Sequence, residues 1–230
     1  FDSTGTLLAE GDQGKGRIYA PHVVADLEGD GTMDIVAGND HQVLAWEWTG
    51  TLTPKAGWPA DTTTGGEAPE VRGLAAGDLD GDGSIEIVAT TTQTATTESG
   101  GAQVFVFSAN GELYQPPGTS WQAWPRYNNQ TGPGNDADRN GMGHNGYGCY
   151  GLNVGVGNID DDAQLEILVT YDNHHIQAFD PDGAAIDSAA WFSNRDSDYD
   201  GQRLTWGQFI RWADPAIEQA HYHDHTGEWP

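Results

Sequence analysis

Asp78-Leu79-Asp80-Gly81-Asp82-Gly83-Ser84-Ile85-Glu86 places carboxylates at positions 1, 3, 5 and 9 of a nonapeptide, with glycine at position 6. Leu74-Ala75-Ala76-Gly77 runs into it and Ile87-Val88-Ala89 runs out of it. An acidic loop therefore joins two apolar runs of strand length. Four converging carboxylates repel one another unless a cation sits among them. Oxygen donors at this density suit Ca²⁺, which takes about six to eight. An EF-hand is excluded, because its twelfth position needs a bidentate Glu and here holds Ala89. The last acid comes at position 9, so the loop closes as a hairpin connection between strands.

The frame repeats. Asp26-Leu27-Glu28-Gly29-Asp30-Gly31-Thr32-Met33-Asp34 lies between Val23-Val24-Ala25 and Ile35-Val36-Ala37. Asn158-Ile159-Asp160-Asp161-Asp162-Ala163-Gln164-Leu165-Glu166 lies between Val154-Gly155-Val156-Gly157 and Ile167-Leu168-Val169. The candidate ligands are Asp26, Glu28, Asp30, Thr32 and Asp34; Asp78, Asp80, Asp82, Ser84 and Glu86; and Asn158, Asp160, Asp162, Gln164 and Glu166. Glu28 at position 3 carries an extra methylene that favours binding through water. The third loop is expected to be the weakest. Asn158 removes a charge, and Ala163 replaces a glycine where positive φ is expected, at a cost of about 1 kcal/mol.

With three loops in phase, the chain resembles the FG-GAP (VCBS-type) repeats of integrin α-like β-propellers. Each blade of that family carries a DxDxDGxxD/E calcium loop between its first two strands. The resemblance covers residues 1–183 well and the remainder poorly. It implies an all-β fold, a β-propeller of FG-GAP-type blades with Ca²⁺-binding hairpin loops, and about three bound Ca²⁺. It implies no single function, because this architecture hosts many.

Net charge is −26, from 9 Lys+Arg against 35 Asp+Glu. Binding of nucleic acid through its phosphates is excluded on that ground. Eleven of the acids occupy ligand-type positions in the three loops. A lone cysteine, Cys149, allows no intrachain disulfide and reads as a small packing residue. Calcium can staple the fold instead, and the millimolar Ca²⁺ outside cells suits such sites. The expected setting is extracellular or cell-surface. No apolar run is long enough to span a membrane.

A second marker, an aromatic followed four positions later by glycine, recurs at Phe1/Gly5, Trp46/Gly50, Phe107/Gly111 and Phe179/Gly183, and degenerately at His223/Gly227. Alternating runs before it, Gln42 to Trp46 and Gln103 to Phe107, read as the third strand of each unit. Trp-Pro pairs follow at Trp58-Pro59, Trp124-Pro125 and Trp229-Pro230. The units are expected at 18–68, 69–115, 151–192 and, degenerately, 193–230, with 1–8 ending an upstream blade and 116–150 an insertion. The chain begins and ends at the same phase of the repeat. About four repeats of a larger ring are therefore expected, as a segment of a larger protein.

Two incomplete frames would raise the ion count to four or five. Asp136, Asp138 and Asn140 precede His144 at position 9, a poor Ca²⁺ ligand. Asp196, Asp198 and Asp200 precede Leu204, which cannot ligate. From Leu204 to Ala220 the apolar spacing is nearer helical than alternating, with Asp214 as N-cap before Pro215. His174-His175 reads as a hairpin turn. His221, His223 and His225 read as one face of an exposed edge strand.

No nucleophile, zinc-protease or phosphate-loop motif is present. The leading expectation is a non-enzymatic, secreted calcium-binding propeller module, with structural calcium and loops that bind a protein or carbohydrate ligand in adhesion. Trp121, Arg126, Tyr127 and Tyr147 in the insertion are the candidate ligand-binding residues. A polysaccharide-lyase-like enzyme, using Arg126, Tyr127, Arg139, His144 and Tyr147, is one alternative. A scaffold or filament component is another.

Overall fold

Strands form where the apolar runs alternate, and the acidic nonapeptides connect them. A computed structural model describes residues 1–11, 14, 16–63, 68–92, 104–120, 123–124, 153–159, 162–170, 175–183, 198–199, 202–203 and 207–208. The first sheet orders β1 (Val23–Ala25), β2 (Met33–Asn39), β3 (Gln42–Trp48) and β4 (Leu52–Pro54), with β5 (Ala60–Asp61) also on β3. The second orders β6 (Val71–Gly77), β7 (Glu86–Thr91) and β8 (Val104–Phe107). The third orders β9 (Val154–Gly157), β10 (Glu166–Thr170), β11 (His175–Phe179) and, across a long connection, β14 (Gly207–Gln208). A separate pair joins β12 (Asp198–Tyr199) to β13 (Gln202–Arg203). All named pairings are antiparallel, and no helix occurs among the described residues.

Asn39 pairs with Gln42, leaving Asp40-His41 as a two-residue turn in which Asp40 takes φ 55°. Aspartate tolerates that left-handed conformation better than most residues.

The period-2 alternation of the strands sends successive side chains to opposite faces, and both faces of the second sheet are buried. Leu74, Ile87, Ala89, Phe105 and Phe107 meet Val36, Val43 and Ala45 of the first sheet in one core. Val88, Val104 and Val106 meet Ile167, Val169 and Phe179 of the third in another. The three sheets therefore stack face to face. Position 2 of the first two acidic loops plugs the joins: Leu27 belongs to the first core and Leu79 to the second, both fully buried. Gly77 marks a close approach, since a Cβ there would lie 2.5 Å from Val156 Cγ1 across the second join. The outward face of the first sheet is apolar: Val24, Met33, Ile35, Trp48 and Leu52 line a groove against Phe1, Leu8 and Ala9.

The marker turns are alike. Gly5, Gly50, Gly111 and Gly183 all have φ between 80° and 91°, which explains the glycine. Two of the marker aromatics pack edge-on to a tryptophan from the preceding unit: Phe107 on Trp58 at 6.3 Å, Phe179 on Trp124 at 5.6 Å. The two tryptophans reach these places from different rungs. Val43 pairs with Ala60, Val104 bridges Trp124, and Ile176 pairs with Gly207. Ala60, Trp124 and Gly207 are thus the outer partners of equivalent third-strand positions.

That register alters two expectations. Trp124 belongs to the second sheet's outer edge rather than to an insertion beginning at 116. Gly207–Gln208, in the stretch with helical spacing, is a strand on the third sheet; backbone pairing with His175 and Ile176 overrides a short periodic pattern. Residues 209–220 lie outside the described residues. His175 opens β11.

Candidate metal centre

Each acidic loop closes on its own backbone. The position 2 N–H donates to the position 9 carboxylate in all three: Leu27 to Asp34 Oδ2 at 3.1 Å, Leu79 to Glu86 Oε2 at 2.9 Å, Ile159 to Glu166 Oε2 at 2.6 Å. That carboxylate is buried every time, with Asp34 and Glu166 at 0% and Glu86 at 3% exposure. The position 6 N–H donates to position 1, Gly31 to Asp26 Oδ2 at 2.7 Å and Gly83 to Asp78 Oδ2 at 3.0 Å. The position 7 N–H donates to position 5: Thr32 to Asp30, Ser84 to Asp82, Gln164 to Asp162. The third loop departs at position 1, where Asn158 Nδ2 donates to the carbonyl of Asp162.

Glycine at positions 4 and 6 takes positive φ in the first two loops: Gly29 and Gly31, Gly81 and Gly83. Ala163 does not adopt positive φ, so the strain expected of it is absent and the third loop turns differently. The loops also touch in series. Ile85 N–H donates to the Leu27 carbonyl at 2.8 Å, and Leu165 N–H to the Leu79 carbonyl at 3.3 Å. Position 8 of each loop thus binds position 2 of the loop before it, and all three line one edge of the stacked sheets.

Charge separates the first two loops. Asp78, Asp80 and Glu86 bring one carboxylate oxygen each to within 4.8 Å of one another, the only such group among the described residues. Burial pushes the Glu86 carboxyl up to about 7, and the charges of Asp80, Asp82 and Asp78 add to it, against the Leu79 hydrogen bond. Burial, with Asp80 and Glu86 nearby, likewise pushes the Tyr114 phenol up to about 12. In the first loop, Lys55 Nζ lies 2.7 Å from Glu28 Oε2, 3.1 Å from Asp34 Oδ1 and 3.7 Å from Glu47 Oε1, with its side chain 4% exposed. Burial alone would lower its pKa; the hydrogen bonds and charges of Glu28 and Asp34 reverse this and raise it. Sequence reasoning gave Lys55 no role, since nothing in the nonapeptide points to it.

The second loop fits a hard cation well. Buried and exposed oxygens converge there, and burial with the neighbouring acids raises the Glu86 carboxyl, an environment that a cation would relieve. The first loop fits less well, because two of its ligand positions already hold an ammonium. In the third, Asp160 lies outside the described residues. So do Asp136, Asp138, Asn140, Asp196, Asp200, Trp121, Arg126, Tyr127, Arg139, His144, Tyr147 and Cys149. Asp198 opens β12 and pairs with Arg203 of β13.

Comparison with known proteins meets this geometry at the first two loops. Residues 26–89 match the FG-GAP-like repeat family. The match begins on position 1 of the first loop and ends in β7, past the second. The FG-GAP-like repeat thus spans the first join between sheets, including the Ile85–Leu27 bond. No curated protein matches the sequence. Among solved structures, the chain is similar to the crystal structure of the computationally designed Ika4 protein. The TM-score is 0.41, with 14% identity, over 87% of this chain and 83% of that one.

Proposed function

We propose that the chain is part of a calcium-organised β-propeller outside the cell, whose metal is structural and whose loops present a binding or adhesion surface. The convergence of Asp78, Asp80 and Glu86 carries this reading. Antiparallel sheets of three to five strands stacked face to face, with acidic hairpins in series along one edge, support the propeller architecture. A cation at the second loop would be held by Asp78, Asp80 and Glu86. It would neutralise a buried carboxylate and fix the hairpin, coupling metal binding to folding.

The extracellular assignment rests on chemistry. A chain with one cysteine gains from metal staples, and extracellular calcium is concentrated enough to fill modest sites. The acidic surface favours protein or carbohydrate partners over nucleic acid. No helix among the described residues is long and apolar enough to cross a membrane. The test is thermal unfolding with saturating Ca²⁺ and with EGTA. Ca²⁺ is expected to raise Tm by several degrees; a Tm unmoved by chelation would remove the structural role.

A further inference from the structure

The first two loops share a backbone frame but differ in what stands over them. Register identifies the equivalent positions. Lys55 N–H donates to the carbonyl of Ala45 at 2.9 Å, and Tyr114 N–H to that of Val106 at 2.8 Å. Ala45 pairs with Val36, and Val106 with Val88. Val36 and Val88 each lie two residues beyond position 9 of their loop. Lys55 and Tyr114 therefore occupy the same rung of successive sheets, one cationic and the other a neutral phenol.

The carboxylates of the first loop are already engaged. Asp34 gives one oxygen to Leu27 N–H and the other to Lys55; Asp26 accepts from two loop N–H groups just as Asp78 does in the second loop, so Lys55 is what distinguishes the first. Glu28, at position 3, reaches Lys55 at 2.7 Å. An ammonium has three N–H donors, and three carboxylates surround this one. Ca²⁺ on Glu28 and Asp34 would have to share both with a buried positive charge. We propose that Lys55 is the resident cation of the first loop, which therefore closes without metal, while Ca²⁺ is confined to loops with no lysine on that rung. The chain would thus build one hairpin from its own charge and leave the next dependent on the calcium around it.

This inference deepens the calcium reading of the second loop, and one set of titrations separates the two. Ca²⁺ stoichiometry is measured by calorimetry on the wild type and on Asp80→Asn, Glu28→Gln, Lys55→Met and the Lys55→Met/Glu28→Gln double variant. Asp80→Asn is expected to lose one ion and Glu28→Gln none. Lys55→Met is expected to gain one, and the double variant to weaken that added site at least tenfold. Loss of one ion on Glu28→Gln in the wild-type background would overturn the proposal, because metal would then be displacing the lysine. A wild type that binds no Ca²⁺ would remove the second-loop reading alone. Lys55→Met would still decide the lysine, with one ion bound supporting its role and none overturning it. Acylation of the Lys55 amine gives a readout independent of folding variants. Its rate should be the same with and without Ca²⁺, and a tenfold rise on adding Ca²⁺ would contradict the proposal.

Discussion

The backbone N–H of Ile85 donates to the carbonyl of Leu27 at 2.8 Å, tying the second acidic loop directly to the first. Leu165 repeats the bond to Leu79 at 3.3 Å. The loops are thus a connected series, and a disturbance in one is expected to reach its neighbour through these bonds and the Leu27 and Leu79 plugs.

Glu86→Gln separates the cost of a buried charge from its use. It keeps the size of the side chain and removes the carboxylate that three neighbouring acids oppose. Without metal the variant should be as stable as the wild type at pH 8 or more so. Its Tm should no longer respond to Ca²⁺. Thermal scans with and without EGTA check both.

Glu86 also sets a pH dependence. Its folded value of about 7 lies above the ordinary 4.5. Below the ordinary value both folded and unfolded chains hold the proton. Between the two values only the folded chain holds it, so metal-free stability falls as pH rises, and the penalty is complete above the folded value. Ca²⁺ replaces the proton, so apparent Ca²⁺ affinity should rise over the same window. Urea unfolding and calcium titrations at pH 5, 6, 7 and 8 test this contribution, with Glu86→Gln as the subtraction.

Lys55→Met leaves Asp34 buried without its cation. Breaking such a pair costs about 3–5 kcal/mol. In EGTA the variant should unfold at correspondingly lower urea, and Ca²⁺ should recover part of the loss. A loss below about 1 kcal/mol would show the pair to be worth no more than an exposed one.

Gly77→Ala probes the join between the second and third sheets. Its Cβ would lie 2.5 Å from Val156 Cγ1 and 3.0 Å from Leu165 Cδ1. Overpacking of this kind costs about 1–3 kcal/mol. Phe105→Ala probes the first join, where Phe105 stacks on Phe107 at 6.2 Å and is 1% exposed. A cost of about 3–5 kcal/mol is expected there. Equilibrium urea unfolding of each variant gives the values.

Much of this was legible in the sequence because single residues carried it. Regularly spaced acids at Asp26–Asp34, Asp78–Glu86 and Asn158–Glu166, with glycines in the first two, marked the connection between first and second strands. The marker glycines recurred with the repeat, and those at Gly5, Gly50, Gly111 and Gly183 prove to sit in turns with positive φ. What escaped depended on register across the sheets. Lys55 is 21 residues from Asp34 and meets it only because β4 returns the chain along β3. Ala60, Trp124 and Gly207 share a rung but no chemistry, so Trp124 read as part of an insertion and Gly207 as part of a helical stretch. Ala163 read as strained because its position was matched to glycine; the backbone there simply takes another path.

The most direct test is an anomalous-difference map from crystals grown with Tb³⁺ in place of Ca²⁺. The account predicts a strong peak among Asp78, Asp80 and Glu86, with Lys55 still seated between Glu28 and Asp34 and no peak beside it. An empty second loop, or density at the first loop with Lys55 expelled, would contradict it.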